Sequence, residues 1–153
     1  SLRSGHCEPR PSRPTISNAM DVGAPSNFVR ILELNGQEHS KVVDQISGFH
    51  FDDCATREAI REVGETTGYV IDPHGAVGYL AARAWRRDHP NDEMVILETA
   101  HPSKFLGVME EELGPGAVEI PERLACLAAR EKIAVQMAAE ESAFLDWLSG
   151  IAP

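Results

Sequence analysis

The chain has 153 residues, of which 42% are hydrophobic and 25% charged, and its formal net charge is −10. This composition is typical of a folded domain and excludes a disordered or fibrous chain. The strong negative charge repels phosphate backbones and argues against a nucleic-acid partner. No apolar run reaches the roughly 18 residues of a membrane-spanning helix, so no membrane partner is expected.

The first 22 residues predict an extended arm, because Pro9, Pro11 and Pro14 remove backbone donors and restrict the chain. Residues 23–153 are predicted to form a second region, which is folded and contains helices and strands. Pro25 and the apolar residues that follow at helical spacing predict a helix over 25–35, which Gly36 ends. Lys41–Ile46 predicts another short helix.

Two longer helices are predicted to begin at aspartates, because short acidic side chains cap free backbone N–H groups. Asp52 and Asp53 precede a helix that ends near Gly68, and Asp72-Pro73 begins a helix that Pro90 ends. Further helices are predicted at 103–113, from Pro121 onward and around Phe144–Leu148.

Short apolar runs between these helices predict strands or extended segments. They are Phe49–Phe51, Tyr69–Ile71, Met94–Leu97, Val118–Ile120 and Ile133–Met137. Alternating strands and helices favour an α/β fold with a short, mostly parallel sheet. The expected architecture is a helix-rich, three-layer piece at one edge of a larger α/β protein.

Thr99 is the first candidate for a binding residue. It follows Met94–Leu97, the clearest predicted strand, and ligands of open α/β sheets bind beyond the carboxyl ends of strands. Its hydroxyl could bond a ligand ring nitrogen or a carboxylate, or it could cap the next helix. His101 could be a cap, a neighbour of a ligand or a structural hydrogen-bonding residue.

Other polar groups favour structural roles over chemistry. Asp72 and His74 could perform acid–base or metal chemistry, but a helix start explains them better. Capping or turns likewise explain Ser26-Asn27 and the group Ser17, Asn18 and Asp21 better than anion binding. Glu110–Glu112 and Glu140-Glu141 are expected to be solvated helix faces.

The three cysteines Cys7, Cys54 and Cys126 are far apart and form no CxxC pair. This spacing predicts neither a disulfide framework nor a metal site, and it favours a reducing, cytoplasmic location. Residues 1–20 lack the apolar segment of a secretory signal. A cysteine nucleophile is disfavoured because no histidine partner is evident.

Several short motifs occur together and in order along the chain. They lie in Pro9–Ser12, Thr15–Val22, Pro25–Arg30, Thr67–Tyr79 and Thr99–Phe105, which contain SNAMD, PSNF, DPHGAVGY and TAHPSKF. Together these segments resemble the carboxyl-terminal portion of threonine synthases of the bacterial and fungal type, and the resemblance runs from about Ser4 to Leu148.

This resemblance implies part of a fold-type II, pyridoxal-phosphate (PLP) enzyme of the tryptophan-synthase-β group. Such an enzyme is a lyase that converts O-phosphohomoserine and water to threonine and phosphate. The resemblance also implies that Thr99 is the hydroxyl residue that bonds the pyridine nitrogen of PLP. A hydroxyl partner leaves that nitrogen largely unprotonated and so tunes the cofactor.

The cofactor-binding lysine and the Gly-rich phosphate loop of the family are absent from these residues. Lys104 lies in the downstream TAHPSKF segment and does not match that lysine. The resemblance therefore implies an upstream half of the same enzyme as partner, no catalytic residue in this chain, and no activity of the chain alone. The alternatives are a non-catalytic interaction or regulatory module and a threonine-synthase-like phospho-lyase.

Overall fold

Helices form all the regular secondary structure in the part of the chain that the computed structural model describes, namely residues 9, 11–18, 22–23, 26–128 and 130–151. The α-helices are α1 (Phe28–Leu34), α2 (His39–Gln45), α3 (Asp53–Thr67), α4 (Pro73–Arg86), α5 (Leu106–Leu113), α6 (Glu122–Ala128) and α7 (Glu141–Ile151), and a 3₁₀ helix spans Pro102–Phe105. The chain divides into two compact units, Ser1–Glu119 and Ile120–Pro153.

The two longest helices of the first unit begin where the aspartates predict. The Asp52 carboxylate accepts a hydrogen bond from Ala55 N at 2.8 Å, which caps α3. One oxygen of Asp72 accepts from His74 N at 2.6 Å and Gly75 N at 3.3 Å, which caps α4. These bonds satisfy donors that the first turn of a helix leaves free.

The apolar stripes of α3, α4 and α5 meet in the core of the first unit. Apolar residues three and four apart lie on one face of a helix, and each helix turns this face toward the core. Ile60 of α3 and Met109 of α5 are completely buried there. The buried members of this core are Ala59, Ile60, Val63, Ile71, Ala76, Leu80, Phe105, Met109 and Val118. Phe105 belongs to this core and Ala100 packs against it, so the segment that follows Thr99 is held by the core.

The predicted α/β fold with a mostly parallel sheet is wrong. The described residues contain no strand, and Phe49–Phe51, Tyr69–Ile71, Met94–Leu97 and Val118–Ile120 are irregular segments. A strand requires a neighbouring backbone with which to exchange N–H···O=C bonds, and an apolar run cannot supply that neighbour itself. Within Met94–Leu97, Val95 and Leu97 are 84% and 78% exposed, so this run is not covered on both faces.

The predicted helices are confirmed with small changes in their bounds. The helix expected over 103–113 is divided into the 3₁₀ helix and α5, and the one expected over 25–35 is limited to Phe28–Leu34. In the second unit, α6 follows Pro121 and α7 contains the Phe144–Leu148 stripe. Among the described helices, none has the length and apolar character needed to cross a membrane.

The predicted arm lies partly outside the described residues, so its extent stays a prediction. Within it, Asn18 N donates to Thr15 O at 3.1 Å and closes a turn. Ile16 N donates to Asp53 Oδ1 at 3.2 Å, which connects this segment to the first turn of α3. The arm is therefore bonded to the first unit at this point.

Candidate functional site

Thr99 lies between the residues that line two clefts of the first unit. Its predecessor Glu98 lines a cleft of about 450 Å³, and its successor Ala100 lines one of about 420 Å³. Tyr69 lines both. Because Glu98 and Tyr69 line the same cleft, the end of the Met94–Glu98 segment lies beside the segment that leads into α4, whereas Thr99 itself lines neither cleft.

The two clefts differ in chemical character. The larger one is mainly apolar, with Val63, Ile71 and Ile96 in its walls and the Glu98 carboxyl among its few polar groups. The smaller one combines apolar and polar groups, including His101 and Glu119. Concave sites with an apolar lining and a few polar groups are typical of small-molecule binding.

His101, and not Thr99, caps the helix that follows. His101 Nδ1 accepts a hydrogen bond from Ser103 N at 3.2 Å and lies 2.8 Å from the Ser103 hydroxyl. The Thr99 side chain is exposed and has no hydrogen-bond partner among the described residues. Its hydroxyl group is therefore available to a ligand, although its role as a binding residue stays a prediction.

Asp72 and His74 have the structural role that the sequence favours. Asp72 is fully buried as the cap of α4, and its Oδ1 lies 3.3 Å from His74 Nδ1. The His74 ring packs edge-on against Phe105, with ring centroids 5.1 Å apart. The second oxygen of Asp72, Oδ2, is buried and accepts no hydrogen bond in the described structure.

Glu98 is a notable polar residue that sequence reasoning did not single out. Its carboxyl group lies against the first turn of α4, so close that a Cβ atom on Gly75 would overlap its Oε1. Burial, followed by the charge and hydrogen bonding of Asp72, raises the pKa of the Glu98 carboxyl. A charged residue at the end of an apolar run was the only signal in the sequence.

The remaining candidate residues form no arrangement suited to catalysis or ligand binding. Asn27 precedes α1 without a side-chain capping bond, and Asn18 Nδ2 donates to Arg13 O at 3.3 Å within the turn of the arm. Cys54 and Cys126 are exposed, whereas Asp21 and Cys7 lie outside the described residues. The described residues hold no group of three or more His, Cys, Asp or Glu that could bind a metal ion.

The prediction that Glu110–Glu112 is a solvated face is wrong for Glu112. Its side chain is only 8% exposed and forms ion pairs with Arg57 and Arg61 of α3. Glu111, which is 64% exposed, pairs with Arg57 at 3.0 Å. These carboxylates connect α5 to α3, and the hydrogen bonds that they accept from Arg57, that of Glu112 first, raise the pKa of the guanidinium.

Comparisons with known proteins define the class. Residues 75–146 match the family "Threonine synthase, C-terminal". The threonine synthase of Escherichia coli (strain K12) is 36% identical over 124 residues, which is 81% of this chain and 28% of that protein. The threonine synthase of Haemophilus influenzae is 34% identical over 113 residues, which is 74% of this chain and 26% of that protein.

Solved structures agree with these sequence matches. The crystal structure of Escherichia coli threonine synthase superposes with a TM-score of 0.78 at 32% identity and covers 97% of this chain and 34% of that one. The PLP-bound threonine synthase of Brucella melitensis gives a TM-score of 0.62 at 26% identity over 97% of this chain and 37% of that one.

The matches define the class as a region of a biosynthetic enzyme. The chain belongs to the threonine synthase family and corresponds to the carboxyl-terminal portion of those proteins. It spans about 28% of the length of the Escherichia coli relative.

Proposed function

We propose that this chain supplies the carboxyl-terminal part of a PLP-dependent threonine synthase, a lyase that converts O-phosphohomoserine and water to threonine and phosphate. The observation that carries this proposal is the agreement in both sequence and shape with the Escherichia coli enzyme over most of the chain. A cytoplasmic location belongs to the same proposal.

The residues around Thr99 fit PLP at its pyridine nitrogen. The Thr99 hydroxyl has no hydrogen-bond partner among the described residues, and its neighbours Glu98 and Ala100 each line a cleft of the first unit. When bound, PLP supplies an electron sink for a carbanion of the substrate. Thr99 donates its hydroxyl proton in a hydrogen bond to the ring nitrogen, which leaves that nitrogen without a full positive charge.

The partner in this proposal is the amino-terminal part of such an enzyme. The family's cofactor-binding lysine and Gly-rich phosphate loop belong to that part and have no counterpart among these residues. Val95 and Leu97 expose apolar surface beside Thr99, and burial of such surface by a partner is favourable. The isolated chain therefore forms no threonine from O-phosphohomoserine.

A chimera tests this function. The chain replaces the corresponding carboxyl-terminal part of the Escherichia coli enzyme, and threonine and phosphate are measured from O-phosphohomoserine with PLP present. We expect activity in the chimera and none in the isolated chain. Thr99→Ala should lower kcat/KM by about 10- to 100-fold, as the loss of one hydrogen bond to a ligand predicts, and Thr99→Ser should retain most activity.

Three outcomes would contradict the proposal in different ways. Turnover by the isolated chain contradicts the need for the partner. A folded, PLP-loaded chimera that releases phosphate and a keto acid without threonine indicates a related phospho-lyase. A folded chimera that binds no PLP indicates an interaction or regulatory module. Equal kcat/KM values for the Thr99→Ala and unmodified chimeras would contradict the role of Thr99 in binding the cofactor.

A further inference from the structure

The first turn of α4 contains a buried acceptor without a donor. Asp72 is fully buried, and its Oδ1 already accepts from two backbone N–H groups. Its Oδ2 is buried and accepts no hydrogen bond. A buried carboxylate oxygen without a hydrogen-bond partner destabilises the folded state, so a donor to Oδ2 would stabilise it.

The Glu98 carboxyl is the group in place to supply that donor. Its tip lies over Gly75, whose missing side chain leaves the necessary space, and burial, followed by the charge and hydrogen bonding of the nearby Asp72 carboxyl, raises the pKa of Glu98. Two ionised carboxylates are both acceptors and cannot bond to each other. One of the two groups must carry a proton for the contact to be favourable.

We propose that Glu98 is a positioning residue, which shares a proton with Asp72 Oδ2 and thereby ties the segment ending at Thr99 to the first turn of α4. The bond is a carboxylic acid donating to a carboxylate, a strong, charge-assisted type. The contact also requires glycine at position 75, because any side chain there displaces the Glu98 tip.

Other titratable side chains surround this pair. His74 Nδ1 faces Oδ1 of Asp72 at 3.3 Å, and the Tyr69 and Tyr79 side chains line the same cleft as Glu98. Backbone hydrogen bonding at Asp72 acts to lower the pKa of Glu98, but burial and the Asp72 charge outweigh this effect. The net result is a raised pKa for Glu98.

The sign of the pH dependence follows from that direction. A carboxyl whose pKa is raised by folding contributes stability that is fully present below its ordinary pKa of 4.5. This contribution disappears as the pH rises through the pKa of the folded state. Replacing the carboxyl with an amide removes the dependence, because Gln donates an N–H at every pH.

The first measurement is a ¹³C NMR titration of side-chain carboxyls in the full 153-residue chain. We expect the Glu98 signal to titrate above the ordinary glutamate pKa of 4.5. The signal is assigned with Glu98→Gln. Titration of Glu98 at or below that ordinary pKa would overturn the proposal.

The second measurement is thermal unfolding of paired variants. Glu98→Ala should lower Tm by roughly 3 °C or more at pH 5, whereas Glu98→Gln and the control Glu93→Gln should change it little. Gly75→Ala should lower Tm in the wild-type background and less in the Glu98→Ala background, where the nearest neighbour left to the new Cβ is Ile71 Cγ1, at 2.8 Å. Equal effects of Gly75→Ala in both backgrounds, or equal losses for Glu98→Ala and Glu98→Gln, would contradict the contact.

The positioning of Thr99 matters for a cofactor only if the proposed function holds, whereas the carboxyl pair does not depend on that function. Amide hydrogen exchange at Thr99 and Ala100 should be faster in Glu98→Ala and restored in Glu98→Gln. Unchanged exchange in all variants would remove the positioning role. Failure of the chimera to bind PLP would leave the titration, unfolding and exchange results unaffected, so the two failures are distinguishable.

Discussion

Gly68 ends α3 in the left-handed region of backbone conformation, with φ at 73°. A Cβ atom there would meet no neighbour within 4 Å, so the cost of Gly68→Ala comes from the backbone alone. We expect a loss of about 1 kcal/mol in the free energy of unfolding, measured by urea denaturation.

Gly107 is the matched control for that substitution. It lies in α5, has equally open space around it and lacks a positive φ. Gly107→Ala should be neutral or stabilising by up to about 0.5 kcal/mol, because Ala restricts the unfolded chain more than Gly does. A destabilisation of equal size at both positions would contradict the conformational explanation.

Residues whose role depends on near neighbours in sequence were predictable. Asp52 and Asp72 were correctly predicted as caps, because a cap bonds to backbone groups two or three residues further along. Glu98 was not predictable in this way. Its significance depends on the space above Gly75 and on the second oxygen of Asp72, and only the folded chain brings these together.

At the scale of elements, Glu112 forms the main polar connection between α5 and α3. Its side chain is nearly buried and pairs with both Arg57 and Arg61. We expect Glu112→Gln to lower the free energy of unfolding by about 1–3 kcal/mol, because it removes charge-assisted bonds from a largely desolvated site. Urea denaturation at neutral pH measures the change.

The neighbouring glutamate provides the comparison. Glu111 is well exposed and pairs with Arg57 alone, so Glu111→Gln should change the free energy of unfolding by less than about 0.5 kcal/mol. Similar losses for the two variants would show that burial does not decide the strength of these ion pairs.

Helices were more predictable than strands for a physical reason. The bonds of a helix are formed within the helix, so apolar spacing and caps in α3 and α4 define it locally. Met94–Leu97 has the composition of a strand, but a strand depends on a second backbone beside it. None of the described residues supplies that backbone, and the predicted sheet is therefore absent.

At the scale of the whole molecule, the exposed apolar run Met94–Leu97 should promote self-association of the isolated chain. Its backbone forms no ladder with another part of the described chain, and unpaired apolar segments pair readily with other chains. Val95→Lys should reduce association at high protein concentration, as measured by sedimentation velocity. Leu34→Lys is the control, since Leu34 is 87% exposed but lies in a helix with satisfied backbone bonds.

An equal reduction by Val95→Lys and Leu34→Lys would show that general charge, and not the unpaired segment, controls association.

The family itself was recognisable from the sequence because several short motifs occur together over most of the chain. The candidate site was only partly predictable: Thr99 is a candidate by its position after an apolar run, whereas the two clefts lined by its neighbours Glu98 and Ala100 arise from the packing of distant segments.

The contact between Gly75 and Glu98 also limits the order in which the two positions can change during evolution. A side chain added at position 75 while Glu98 is present must displace the Glu98 carboxyl tip, whereas after position 98 has become shorter the nearest neighbour left to the new Cβ is Ile71 Cγ1, at 2.8 Å. Shortening Glu98 first leaves an acceptor of Asp72 without its donor. When a relative differs from this chain at both positions, a history in which position 98 changed first is therefore favoured.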